Sequence, residues 1–190
     1  MRTLIIDNSS KYLDRLVELI RPDQPVVREY SQISGLESEQ YDLIILSGGH
    51  SFSIVGNEDK LAQEIALIQQ STIPILGICF GFELIAHTFD AIMQRMQTKE
   101  NGILSINKLA GDPIFTNLSD LSVFESHRWV VSDPGQYLVP LARSRDGIEI
   151  IKHQTKPIYG FQFHPEMFPD QTQGDELFAN FTKIVQNSVI

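Results

Sequence analysis

A chain of 190 residues, 42% of them hydrophobic, is long enough for one sizeable core and short for two, and this composition excludes a disordered class. A net charge of −9, with fifteen scattered Lys and Arg residues, argues against a nucleic-acid-binding surface, which needs clustered cations to neutralise phosphates. One cysteine excludes an internal disulfide, the five histidines form no zinc pattern with it, and no apolar run approaches the roughly twenty residues of a membrane helix. A single domain over residues 1–190 in the reducing cytoplasm is expected, with no cofactor, metal, nucleic acid or membrane among its partners.

In chain order, strand-like runs alternate with helical ones, the pattern of a mostly parallel α/β sheet covered on both faces. Thr3 to Ile6 reads as a first strand. A helix from about Lys11 to Ile20 follows, with Leu13, Leu16, Val17 and Ile20 at helical spacing, Ser10 as its cap and Pro22 ending the segment. Val26-Val27 opens a second strand and Leu43 to Leu46 a third. Glu58 to Gln70 is a helix with Leu61, Ile65 and Ile68 on one face, and Ile75 to Ile78 is a short buried strand before a helix over Phe82 to Phe89. Ile92 to Met96 and Ile103 to Ile106 read as a hairpin or paired edge strands, with Asn101-Gly102 as the turn signal. Val123 to His127 and Ile148 to Ile151 are further strands, and Tyr159 to His164 is an alternating strand. A loop over Pro165 to Gly174 leads to a last helix from about Asp175 to Asn187, which buries Leu177, Phe178, Phe181, Ile184 and Val185.

The stretch Gly77-Ile78-Cys79-Phe80-Gly81-Phe82-Glu83 carries the chemistry. A lone cysteine is by itself most often a small buried hydrophobe. Here glycines two residues before and two after give neighbouring backbone room to approach a strand-to-helix corner, and the helix start turns its N–H groups toward the sulfur, favouring the thiolate. Near the C-terminus, proline restricts His164 to extended backbone, so that His164 should finish its strand. Glu166 lies two residues on, within reach of the imidazole. Cys79, His164 and Glu166 thus form a candidate nucleophile, base and orienting carboxylate.

At these residues the chain resembles the class I glutamine amidotransferases, whose glutaminase domains carry a G-x-C-x-G-x-Q turn and a late H-P-E. The resemblance covers nearly the whole chain and implies the family's flavodoxin-like fold, a mostly parallel sheet with a small antiparallel addition. Asp42 to Gly49 is similar to the family's strand and glycine turn, and Ile5-Ile6-Asp7-Asn8 with Tyr12 resembles the opening of the stand-alone glutaminase subunit of GMP synthetase. The resemblance implies that the Cys79 thiolate attacks the side-chain amide of glutamine. The backbone N–H groups of Gly49 and Phe80 would form the oxyanion hole, and Gly48, Glu83, Ser126 and His127 would meet the substrate. His164 would protonate the departing ammonia, and water would then hydrolyse the thioester. A synthetase subunit would receive the ammonia.

Three positions depart from the family's pattern. His50 stands in place of a proline, Trp129 in place of an aspartate, and Glu83 in place of the glutamine of G-x-C-x-G-x-Q. Glu83 lies one helical turn from Cys79, where an ionised carboxylate opposes a thiolate unless it is paired or points away. A glutamate here, preceded by phenylalanine, is similar to the γ-glutamyl hydrolases, which cleave larger γ-glutamyl amides. That activity and a non-catalytic binding subunit are the two alternatives to glutamine hydrolysis. His50, His87 and His153 are expected to be structural or solvated.

Overall fold

The computed structural model describes residues 1–49 and 52–188; His50 lies outside them. Five parallel strands form the centre: β1 (Thr3–Asn8), β2 (Val26–Glu29), β3 (Leu43–Gly49), β4 (Ile75–Ile78) and the late β11 (Ile158–Phe161), in the order β2-β1-β3-β4-β11. The near-continuous apolar runs of β1, β3, β4 and β11 follow from burial on both faces, whereas β2, Val26-Val27-Arg28-Glu29 at the sheet edge, is exposed. Ile5, Ile45 and Leu76 point to one side, where α1 (Leu13–Ile20) contributes Leu16 and Ile20, and α4 (Gly174–Ser188) contributes Leu177 and Phe181. Leu4, Ile6, Ile44, Leu46 and Ile75 point to the other side. There α2 (Glu58–Gln70) contributes Leu61 and Ile68, and α3 (Phe80–Thr88) contributes Phe82 and Ile85. The alternation within each strand sorts one continuous apolar run into two cores.

Beyond β11 the sheet turns antiparallel through β10 (Ile148–His153), β9 (Leu138–Arg143), β6 (Gly102–Lys108) and β7 (Leu121–Glu125). A branch of β8 (Trp129–Asp133) and β5 (Ile92–Arg95) leaves from β10. Two expectations change here. Neither a hairpin nor an edge pairing joins Ile92 to Met96 with Ile103 to Ile106: β5 pairs with β8, and β6 pairs with β7 and β9. Two strands, β8 and β9, were not expected, and Pro140 inside β9 is one reason, because proline argues against a strand interior.

Smaller differences lie at element ends. Ser10 does not cap α1, which begins at Leu13; its hydroxyl accepts from the Tyr12 N–H at 3.2 Å and shapes the preceding turn instead. Helix α3 starts two residues earlier than expected, directly after Cys79. Strand β11 ends at Phe161, so His164 lies beyond its strand, held by its N–H donating to the Phe124 carbonyl at 2.9 Å.

The carboxyl edge of β1 and β3 is tied to α2 by a buried polar contact: Asn8 Nδ2 donates to Glu64 Oε1 at 3.1 Å, and the Asn8 N–H donates to Ser47 Oγ at 2.9 Å. Burial pushes the Glu64 carboxyl up to about 7. The folded protein therefore holds this proton more tightly than the unfolded chain, so this contribution to stability is complete in acid and is lost as pH rises through about 7. Glu64→Gln should raise the thermal midpoint more at pH 8 than at pH 5, by up to about 3 kcal/mol of stability. Equal gains at both pH values would show Glu64 ionised in the fold.

Candidate active site

Strand β4 and helix α3 meet at Cys79 with no intervening loop. Its backbone has φ 50° and ψ −100°, a conformation that costs a non-glycine residue on the order of 1–3 kcal/mol and is found at functional turns. The corner is held on both sides: the Cys79 N–H donates to the Phe161 carbonyl at 2.8 Å, and the Cys79 carbonyl accepts from the Glu83 N–H at 2.9 Å. A Cβ on Gly77 would lie 2.4 Å from the Gly81 carbonyl oxygen, and one on Gly81 would lie 2.3 Å from that of Leu46. The two glycines let β4, α3 and β3 close around the turn.

His164 reaches the same place from the other side. Its Nδ1 lies 2.8 Å from Glu166 Oε1, with both side chains buried, and the edge of the Tyr12 ring packs on the imidazole at 4.7 Å between centroids. An Nδ1–H donated to the carboxylate leaves Nε2 as the free ring nitrogen. Gly48 sits between the two functional groups: a Cβ there would lie 2.7 Å from His164 Cε1 and 3.6 Å from Cys79 Cβ. Gly49 follows at the end of β3, against the backbone of Asn8.

A cleft of about 510 Å³ opens beside this turn, lined by Gly49, Cys79, Phe80, Glu83, Ser126 and His127 among others. A smaller one of about 210 Å³ carries Tyr12 and His164 and shares Gly49, Lys99 and Ser126 with the first. The residues singled out in the sequence thus come together at one sheet edge, with Glu166 behind His164. His87 and His153 stand apart: His153 Nδ1 accepts from the N–H groups of Thr155 and Lys156, and His87 is 3.8 Å from Glu58.

The electrostatics reverse one expectation. Burial pushes the Cys79 thiol well up, and the charges of Glu83, Glu125 and Glu166 add to this, whereas the Phe80 N–H at the helix start only partly offsets them. Desolvation outweighs the helix terminus, so the resting sulfur keeps its proton until a base takes it. Glu83 lines the cleft and does not point away. Burial moves its carboxyl up to about 7, against the opposing effects of His127 and of Gln162 Nε2, which donates to it at 3.3 Å. Glu83→Gln removes a neighbouring negative charge above that pH and should shift the alkylation profile of Cys79 to lower pH. An unchanged profile would mean that Glu83 stays neutral.

Ser126 and His127 form the opposite wall, in the loop between β7 and β8. Ser126 Oγ donates to Asn101 Oδ1 at 3.2 Å, and His127 Nδ1 lies 2.8 Å from the Trp129 carbonyl oxygen. Behind this wall stand Glu125 and Glu149, which the sequence reading missed. Burial raises Glu125 to about 8 and Glu149 well above its usual range. The signal in the chain was a lone carboxylate inside an apolar run, as in Ile148-Glu149-Ile150-Ile151.

Residues 4–184 match the family model of the class I glutamine amidotransferases. The chain is 33% identical to the glutamine-hydrolysing subunit of GMP synthase from Pyrococcus abyssi, covering 95% of this chain and 97% of that protein. It is 32% identical to the corresponding subunit from Methanosphaera stadtmanae, covering 98% and 100%. A crystal structure from Thermoplasma acidophilum, provisionally assigned as the same kind of GMP synthase subunit, superposes with a TM-score of 0.87 at 27% identity, covering 99% of this chain and 95% of that one. With the family model running almost end to end and its relatives matched at full length, the chain belongs to the class I glutamine amidotransferases.

Proposed function

We propose that the protein hydrolyses the side-chain amide of glutamine and passes the ammonia to a synthetase subunit of the GMP synthase type, acting in the cytoplasm. The observation that carries this reading is the convergence of Cys79 and the His164–Glu166 pair on Gly48, in a chain whose relatives are glutamine-hydrolysing subunits. A cytoplasmic setting is supported by the lone thiol, which a reducing compartment keeps free. The relatives favour this reading over a γ-glutamyl hydrolase or a non-catalytic binding subunit.

In the reaction, His164 accepts the Cys79 proton as the sulfur attacks the amide carbon, which removes the barrier set by the buried thiol. The N–H groups of Gly49 and Phe80 hold the oxyanion. His164 then gives the proton to the leaving ammonia and later activates the water that cleaves the γ-glutamyl thioester, while Glu166 keeps the imidazole in the required tautomer. Gly48, Glu83, Ser126 and His127 line the substrate. Because ionised Glu83 accepts and cannot donate, Glu83→Gln should change the ratio of kcat/KM for glutamine over longer γ-glutamyl amides in favour of glutamine, by roughly tenfold, or about 1.4 kcal/mol.

The partner is tested by adding the synthetase subunit to the isolated chain and measuring glutamate release. Activity alone should be low and should rise on addition, since glutamine hydrolysed without an acceptor is wasted. Full activity alone, unchanged by the synthetase, would overturn the subunit reading and leave a free-standing glutaminase.

A further inference from the structure

Behind the wall of the cleft, Glu125, His127 and Glu149 turn their side chains toward one another, and one ligand atom from each lies within 4.8 Å of the other two. All three are buried, Glu125 completely. The imidazole is oriented by Nδ1–H donation to the Trp129 carbonyl, so Nε2 faces Glu125 Oε2 at 3.0 Å. That pair lacks the alignment of a hydrogen bond. Among the described residues, and apart from the neighbouring Glu149 carboxyl, neither Glu125 oxygen has a donor; Glu149 Oε2 has none beyond that pair, and Glu149 Oε1 accepts from the Ser144 hydroxyl at 2.6 Å. Among the described residues no Lys or Arg pairs with either carboxylate, and the nearby Arg145 turns to Glu100 and Asp146 instead.

Two carboxyls buried beside an imidazole lone pair can ionise together only at a cost of several kcal/mol for each uncompensated charge, a cost that a positive partner removes. We propose that Glu125, His127 and Glu149 form a site for one divalent first-row transition cation. A dication balances the two carboxylates and accepts the Nε2 lone pair. Two ligand atoms 3.0 Å apart, each about 2.1 Å from a metal, subtend roughly a right angle there, which suits a five- or six-coordinate ion with further positions for water. The contacts from His127 to the Trp129 carbonyl and from Ser144 to Glu149 are the outer interactions that hold metal ligands in orientation. Glu125 ends β7, His127 lies two residues on, and Glu149 stands on β10, so the ion ties the Ser126–His127 wall to the sheet. The site goes beyond the hydrolysis reading and does not depend on it.

The test uses the Cys79→Ser protein, in which no thiol competes for metal. After chelator treatment, titration with Zn2+ and with Mn2+ should each show one ion per chain and a raised thermal midpoint, with much weaker binding of Mg2+. Adding Glu149→Gln or Glu125→Gln should weaken binding at least about tenfold. In case those variants fold poorly, a Mn2+-soaked crystal of Cys79→Ser protein should show anomalous density within about 2.3 Å of all three side chains. Absence of saturable binding, binding that survives both glutamate changes, or density elsewhere would overturn the proposal and leave the three side chains sharing a proton. Glutamate release by the parent protein reports on the hydrolysis reading separately.

Discussion

Cys79→Ser is expected to fold like the parent and to lose glutamine hydrolysis by at least roughly a thousandfold, a rise of about 4 kcal/mol in the barrier. The side chain packs at a buried corner whose backbone bonds do not involve the sulfur, so removing it leaves those bonds in place. The chemistry is another matter. The parent thiol is already held up by burial and three carboxylates, and a serine hydroxyl in the same field starts from a far higher pKa and is a poorer nucleophile. An electrophilic glutamine analogue should add one adduct per parent chain, on Cys79, and none to the variant. Full labelling with turnover retained in Cys79→Ser would remove Cys79 from the mechanism.

Gly49→Ala should lower kcat by about a hundred- to a thousandfold, close to the loss of a complete oxyanion donor. A Cβ at Gly49 would stand 1.9 Å from the Asn8 carbonyl oxygen and 2.8 Å from its carbon. These are backbone atoms of β1, so no side-chain rotation relieves the overlap, and the end of β3 must move with its N–H. Some loss of stability accompanies that shift. Alkylation of Cys79 by a small reagent, which needs no oxyanion hole, should continue in the folded variant while hydrolysis falls. Gly111→Ala is the control, since a methyl group there would meet nothing within 4 Å. Parent-like kcat in Gly49→Ala would show that the turn supplies no donor.

Much of this site could be read along the chain because its geometry is local. Glycines flanking a cysteine between an apolar strand and a helix describe a close-packed corner in any fold, and the observed contacts of Gly77 and Gly81 are those close approaches. A histidine two residues before a glutamate across a proline needs little more than its own backbone to bring Nδ1 to 2.8 Å from the carboxylate. The apolar strands and the faces of α2 and α4 follow from periodicity for the same reason. Helix caps were less legible: Ser10 satisfies the N–H of Tyr12 rather than the first turn of α1, a choice between two partners within three residues.

The α/β alternation, the nucleophile corner and the family to which the chain belongs are thus legible in the order of residues. Tertiary structure alone decided which edge strands pair, since β5 finds β8 and β6 finds β7 across long separations, and a period of two along a strand names its faces without naming its neighbour. It also decided the charge around the sulfur. Glu83, Glu125 and Glu166 come from a helix, a strand end and a loop, and only their shared burial lets them outweigh the helix terminus at Cys79. The grouping of Glu125, His127 and Glu149 has the same origin: a dielectric and a distance are properties of the folded interior, and neither is written in the order of residues.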